Sequence, residues 1–514
     1  MRDRTARRRY ILQRIAAFNE AISREHYKHS IGIKDKLETV KIYKQYADIF
    51  TKPNITLAAA SMQTTTGTWA SRRNRNLHAF LVEGYIGDQL KKESEAMNNY
   101  EAAATITVDG KKITYRHIGS LVMNEPKRDK RKQLFDACEP IRKKLLNFEK
   151  KLMAKEKKLL KELTGQDYLT FYNNYKGVDY DELAEELRRF LIKTDGAYTK
   201  AIAAAMKSID VPPDDARQYD FARWERATAW DKHFPKGKLV PTLKTFLHGL
   251  GIDLDQQKNV ELDTADRPKK VPRAFCTTLR IPDEVKLVLK PHGGQSDYQT
   301  ILHEAGHTEH YAHTRADLPY ELQHLGPYNV TESYAFLFEY LMTDPLWLQH
   351  HLNMTAKQAR DFTRFLMLEK LFFFRRYCGK VIYELKLHRD DLRMLDAHFN
   401  PTTKKYKTMA DCYADIQGRA TKIQYVKTNY LLDVDGGMYS AEYVQAWLME
   451  AMLKTELRKR FGQKWWTNKN AGDLLKHLWE TGTTGRTIEE LAHEIGANGL
   501  SIEPMTKEFL EVFA

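Results

Sequence analysis

Residues 303–313 read HEAGHTEHYAH. His303 and His307 stand four positions apart. On an α-helix of 3.6 residues per turn, that spacing puts both imidazoles on one face, a turn apart, where they can hold one ion. Glu304 is one step further round, within reach of a water on that ion. Zinc lowers the pKa of such a water to about 7, and a neighbouring carboxylate can take its proton. Read as a helix, the stretch brings both rings to one face with Glu304 beside them. With 18 histidines and 68 acids in 514 residues, chance supplies about 0.04 HExxH matches.

Two candidates exist for the third ligand. His313 falls where the pattern HExxHxxGxxH ends, but the glycine that breaks the helix in that pattern is replaced by His310. If the helix continues, His313 lies about 15 Å along the axis from His303 and cannot reach the ion. His310 and His313 then read as polar residues near the mouth of a wet cleft. The other candidate is Glu332, in NVTESYAFLFEYLM. This reads as a second helix, capped by Asn329 or Thr331. Glu332 and Glu339 are seven apart and share a face. Acids among Phe and Leu are costly to bury unless paired or metal-bound. Glu332 therefore fits as ligand and Glu339 as the acceptor for a ligand histidine's other N–H. The alternative is that both are ordinary surface acids.

Most of the remaining sequence has helical periodicity. Residues 181–207 show it, with Leu183, Leu187, Phe190 and Leu191 at three- and four-residue steps. The basic run from Lys127, KRDKRKQLFDACEPIRKKLLNFEKKLMAKEKKLLKEL, reads as one long helix with an apolar and a wet face. Strand signals are few. Residues 105–108 and 113–115 read as a hairpin about Asp109-Gly110, and 274–280 with 285–289 as a second pair just before the HEAGH helix. The expected fold is mainly α with a small sheet beside the metal motif. Residues 1–260 form a helical N-terminal half and 261–514 carry the site.

Composition narrows the classes. The formal charge is +14 and the pI about 9.2, compatible with an acidic partner. Lys and Arg are spread along the chain without a nucleic-acid-binding motif, so no nucleic acid is expected. No run of eighteen apolar residues is present, so no membrane span is expected. MRDRTARRRY is followed by no secretory h-region, and IAAFNEAISREHY continues as an amphipathic helix rather than a transit peptide. Four cysteines without CxxC spacing suit a reducing cytoplasm.

HEAGH followed by TESYAFLFE resembles the HExGH…E…E arrangement of the M3 peptidases, the thimet oligopeptidase and oligopeptidase F group of gluzincins. Gly306, Glu332 and Glu339 fall on the matching positions. ADLPYELQHLG and the tail AGDLLKHLWETG…IGANGLSIEPMTKEFLEVF are similar to the related M2 family of angiotensin-converting enzyme. The likeness runs from about Arg273 to Met449 and more loosely through the tail. In the N-terminal half it rests on helical character and YLTFYNNYKGVDYDEL.

The resemblance implies a large helical ellipsoid split by a deep substrate channel. It further implies one Zn2+ per chain on His303, His307 and Glu332, Glu304 as base, and an oligopeptide substrate. RAFCTTLRI, residues 273–281, would be the edge strand that pairs with substrate, through Arg273, Ala274 and Phe275. In DVDGGMYSAEYVQAW, Tyr443 and secondarily Tyr439, after a mobile Gly436-Gly437 loop, would donate phenols to the oxyanion; the alternative is a pair of core tyrosines. The chain departs from the family at Ala446, where a third tyrosine is expected, and at Asp433-Val434-Asp435, where a histidine is. The implied activity is a zinc-dependent oligopeptidase. Two other readings stay open: an M2-like dipeptidyl- or carboxypeptidase, and a catalytically weak zinc- or peptide-binding protein. Nothing in the sequence fixes the oligomeric state.

Overall fold

The computed structural model describes residues 2–63, 67–389 and 408–514. The fold is mainly α, as expected, with one two-stranded and one three-stranded sheet among the described residues. The chain forms two compact units. One comprises Met1–Tyr85, Thr228–Leu366 and Gln445–Met505; the other comprises Ile86–Ala227, Met367–Val444 and Thr506–Ala514. No helix of the described residues is long and apolar enough to cross a membrane.

In the second unit, β1 (Thr105–Val108) pairs antiparallel with β2 (Lys111–Thr114). Asp109 and Gly110 between them both have positive φ, as the two-residue turn of a right-twisted hairpin requires. Ile106 and Val108 alternate inward onto Ile118, Val122, Leu134 and Ile141. The basic run after Lys127 is two helices, Arg128–Asp136 and Glu139–Thr164. The sequence periodicity hides the break. Pro140 lacks an N–H and cannot continue the first helix, but its fixed φ suits the opening turn of the second.

The three-stranded sheet belongs to the first unit. Its order is β3 (Val260–Asp263), β5 (Glu284–Val288), β4 (Phe275–Arg280), with β5 central and buried. β5 is parallel to β3 and antiparallel to β4, so β4 is an edge of the sheet. Beside it runs the helix Gln295–Ala312. Its Tyr298, Ile301, Leu302 and Ala305 follow the i, i+3, i+4, i+7 pattern into the core, where Trp347, Trp465, Trp466 and Trp479 are also buried. That burial leaves His303, Glu304 and His307 on another face. The helix Asn329–Glu339 does the same with Val330, Tyr334, Leu337 and Phe338.

The two helices meet at Gly306. A Cβ there would lie 2.5 Å from the Tyr334 carbonyl oxygen and 2.6 Å from the Ala335 Cα, both rigid backbone atoms. Glycine inside a helix costs about 1 kcal/mol relative to alanine. Gly306→Ala would stabilise an isolated helix, but here it must push the pair apart, at about 1–3 kcal/mol for overpacking. We expect Gly306→Ala to lower the midpoint of thermal unfolding. A raised midpoint in a calorimetric melt would refute this packing.

Candidate metal centre

His303 and His307 sit a turn apart, with ring centroids separated by 4.9 Å. Their Nε2 atoms lie 3.4 and 3.6 Å from the same Glu332 oxygen, Oε2. One ligand atom from each of the three residues falls within 4.8 Å of the others, a group that could hold a metal ion. Ligands at about 2.0–2.1 Å from a tetrahedral ion are separated by roughly 3.4 Å, so the donors stand at the spacing such an ion needs.

The rings are oriented from behind. Nδ1 of His303 is 2.8 Å from Oε2 of Glu339. A carboxylate only accepts, so the proton in this bond sits on Nδ1 and Nε2 faces Glu332. Nδ1 of His307 is 2.8 Å from the Thr331 hydroxyl. Burial pushes the His303 pKa down, but the bond to Glu339 and the charges of Glu339, Glu332 and Glu304 outweigh it and raise the pKa to about 9. The surrounding carboxylates thus favour positive charge at His303.

Glu304 reaches the sheet. Its Oε2 accepts a 2.8 Å hydrogen bond from the backbone N–H of Cys276 in β4. Antiparallel pairing alternates, so Cys276, whose N–H is turned to Glu304, faces away from β5 while Phe275 and Thr277 face it. A cavity of about 490 Å3 opens here, lined by Arg273, Ala274, Phe275 and Cys276 on one side and by Glu304, His307 and Glu332 on another. Tyr311 and Tyr328 complete the wall. Tyr311 follows His307 by one helical turn, and its ring lies nearly parallel to the imidazole at 6.2 Å. Its spacing could have marked it as a neighbour of the site. Tyr328 carries no comparable signal.

Several expectations need correction. Neither Asn329 nor Thr331 caps the second helix; the cap residue is Tyr328, without a side-chain cap bond. Asn329 instead donates to Gln445 Oε1 at 2.9 Å, and Thr331 is engaged with His307. His310 is not at a wet mouth. It is fully buried, and burial pushes its pKa down to about 3. The helix continues through residue 312, and His313 turns its Nδ1 to the Glu309 carbonyl at 2.9 Å.

Tyr439 and Tyr443 lie in the second unit, rings edge-to-face at 4.8 Å, with Tyr377 at 5.4 Å from Tyr443. The loop before them is pinned, contrary to the mobility expected of two glycines. The Gly437 N–H donates to the Tyr168 hydroxyl at 2.6 Å, and its carbonyl accepts from Lys176, which also pairs with Glu442. Gly437 has φ +66°, and a Cβ there would sit 3.1 Å from the Tyr172 ring. The Asp435 N–H donates to Glu384, whose pKa burial raises to about 8. Asp433 and Asp435 form ion pairs, Asp433 with Arg376 and Asp435 with Lys380 at 2.8 Å.

No family model matches the chain, and no curated protein matches it by sequence. Among solved structures it matches a "putative peptidase" from Chlamydophila abortus, at 15% identity with a TM-score of 0.64, over 98% of this chain and 88% of that one. At that identity the likeness is one of fold.

Metal content after dialysis checks the donor set. His303→Ala, His307→Ala and Glu332→Ala should each lose tight binding, because three ligands are the minimum for such a site, and His313→Ala should keep it. Glu339→Gln and Thr331→Val, which leave the ligands but loosen their rings, should weaken binding by about 10–100-fold in chelator competition. Tight binding in Glu332→Ala with loss in His313→Ala would overturn the assignment.

Proposed function

We propose that this protein is a zinc-dependent metallopeptidase that hydrolyses short peptides. The observation that carries the proposal is the meeting of two things in one cavity: a three-donor group of catalytic-zinc composition, and a carboxylate beside it that is also tied to an edge strand. A site that only stores metal has no use for Glu304. The resemblance of HEAGH…TESYAFLFE to M3 peptidases supports the reading, as does the description of the structural neighbour.

Zinc on His303, His307 and Glu332 would supply the Lewis acidity that activates water near neutral pH. The chain's own residues do the rest. The outward edge of β4 offers N–H and C=O groups to an extended peptide backbone, giving hydrogen bonds that tolerate many sequences. Glu304, steadied by the Cys276 N–H, takes the proton from water and returns it to the leaving amine. The M3 resemblance gives Tyr443 the role of phenol donor to the developing oxyanion, with Tyr439 assisting. In this reading the clamp on Gly437 and the Lys176–Glu442 pair hold the start of the tyrosine helix. A channel that admits peptides and excludes folded proteins, and a cytoplasmic location, are parts of the same proposal.

Glu304→Gln should retain metal and peptide binding and cleave at least about a hundredfold more slowly, the lower limit for loss of a general base. Turnover of a mixed peptide library, free and end-blocked, read by mass spectrometry, provides the measurement; near-parental rates would place the base elsewhere. Tyr443→Phe should lower kcat by roughly a hundredfold with little change in KM, as for a contact made only in the transition state, and Tyr439→Phe should do less. Full activity of Tyr443→Phe would remove it from the site.

A further inference from the structure

We infer that Arg273 is a specificity determinant of this site, a receptor for a carboxylate on the bound peptide two or three residues from the point of cleavage. The inference rests on the peptidase reading for the word cleavage, but its core is a statement about binding.

The segment leading into β4 is DRPKKVPR, residues 266–273, and carries four cations. Three have carboxylate partners within their own unit. Arg267 pairs with Asp263 at 2.9 Å, Lys269 with Asp35 at 2.6 Å, and Lys270, fully buried, also with Asp263 at 2.9 Å. Arg273 has no hydrogen bond, ion pair or ring contact among the described residues. It is also the member of the four that lines the cavity, where it is the single arginine or lysine of the wall. The cation left without a protein partner is thus the one facing the substrate's space.

Position defines what it can read. Arg273 precedes Cys276 by three residues, at most about 10 Å of extended chain. The Cys276 N–H holds the Glu304 carboxylate at 2.8 Å, so Arg273 lies within about 10 Å of the residue that steadies the candidate base. A peptide along the strand advances about 3.3 Å per residue, which sets the interval of two or three residues. The planar guanidinium fork matches a carboxylate with two parallel hydrogen bonds, better than any neutral group. The chain's charge of +14 adds a field that draws anionic peptides in. The carboxylate can be an Asp or Glu side chain within the peptide or the free C-terminus. The first would make the enzyme an acid-selective endopeptidase, the second a carboxy-terminal exopeptidase.

The test uses the full chain, zinc-loaded, with Glu304→Gln so that peptide is not consumed. Fluorescence anisotropy would compare labelled octapeptides: neutral with an amidated C-terminus, the same with a Glu walked along its length, and neutral with a free C-terminus. We expect at least one carboxylate-bearing peptide to bind about tenfold or more tightly than the neutral one. Arg273→Gln should bring that ratio to about two or less, Arg273→Lys should keep part of it, and Arg273→Glu should transfer the preference to Lys-bearing peptides. A gain for the free C-terminus identifies the exopeptidase form, and a gain for one Glu position the endopeptidase form. Equal binding of all peptides, no binding at all, or a preference that survives Arg273→Gln would overturn the inference. Turnover by the parent chain separates the two claims. An Arg273-dependent preference with no hydrolysis leaves the inference standing and removes the peptidase reading; hydrolysis without preference does the reverse.

Discussion

The candidate metal centre depends on how closely two helix backbones approach. His303 and His307 come from one helix and Glu332 from another, so donors spaced for a single ion need the axes brought together. Gly306 permits this by having no side chain where Tyr334 and Ala335 lie against it. The far side of each helix is held in the same core, by Tyr298, Ile301 and Ala305 on one and Val330, Tyr334 and Phe338 on the other. Sites supported by packed helices are held more closely than sites on loops, and the contacts of Glu339 and Thr331 behind the rings complete that support.

What was legible in the sequence is what local spacing controls. The four-residue step of His303 and His307, the seven-residue step of Glu332 and Glu339 and the Asp109-Gly110 turn each follow from one helix or one hairpin. What was hidden depends on partners distant in sequence. Thr331 near a helix start looks like a cap, yet the histidine 24 positions earlier claims its hydroxyl. His310 looks polar, yet its helix turns it into the core beside Tyr334. Charge periodicity made the run after Lys127 look continuous, and the break before Pro140 carries little signal in a hydrophobic pattern. Tyr311, one turn after His307, is legible from spacing alone as a neighbour of the site.

In the second unit, ion pairs and hydrogen bonds fix a glycine-containing loop. Before the glycines, Asp433 and Asp435 form an ion-paired group with Arg376 and Lys380. Buried ion pairs contribute little net stability but fix geometry, since removing one partner strands the other's charge. Together with Tyr168 and Lys176 on the adjacent glycine, they give the loop one conformation where two glycines alone would allow many.

The hydrogen bond from Cys276 to Glu304 also bears on the edge of the sheet. An edge strand is a hazard, because its free N–H and C=O groups can recruit any passing strand and seed aggregation. On β4 the Cys276 N–H is already occupied by a carboxylate. A foreign strand pairing across this position must displace that anion or confront it with its own carbonyls. One bond thereby discourages the strand addition by which exposed edges polymerise.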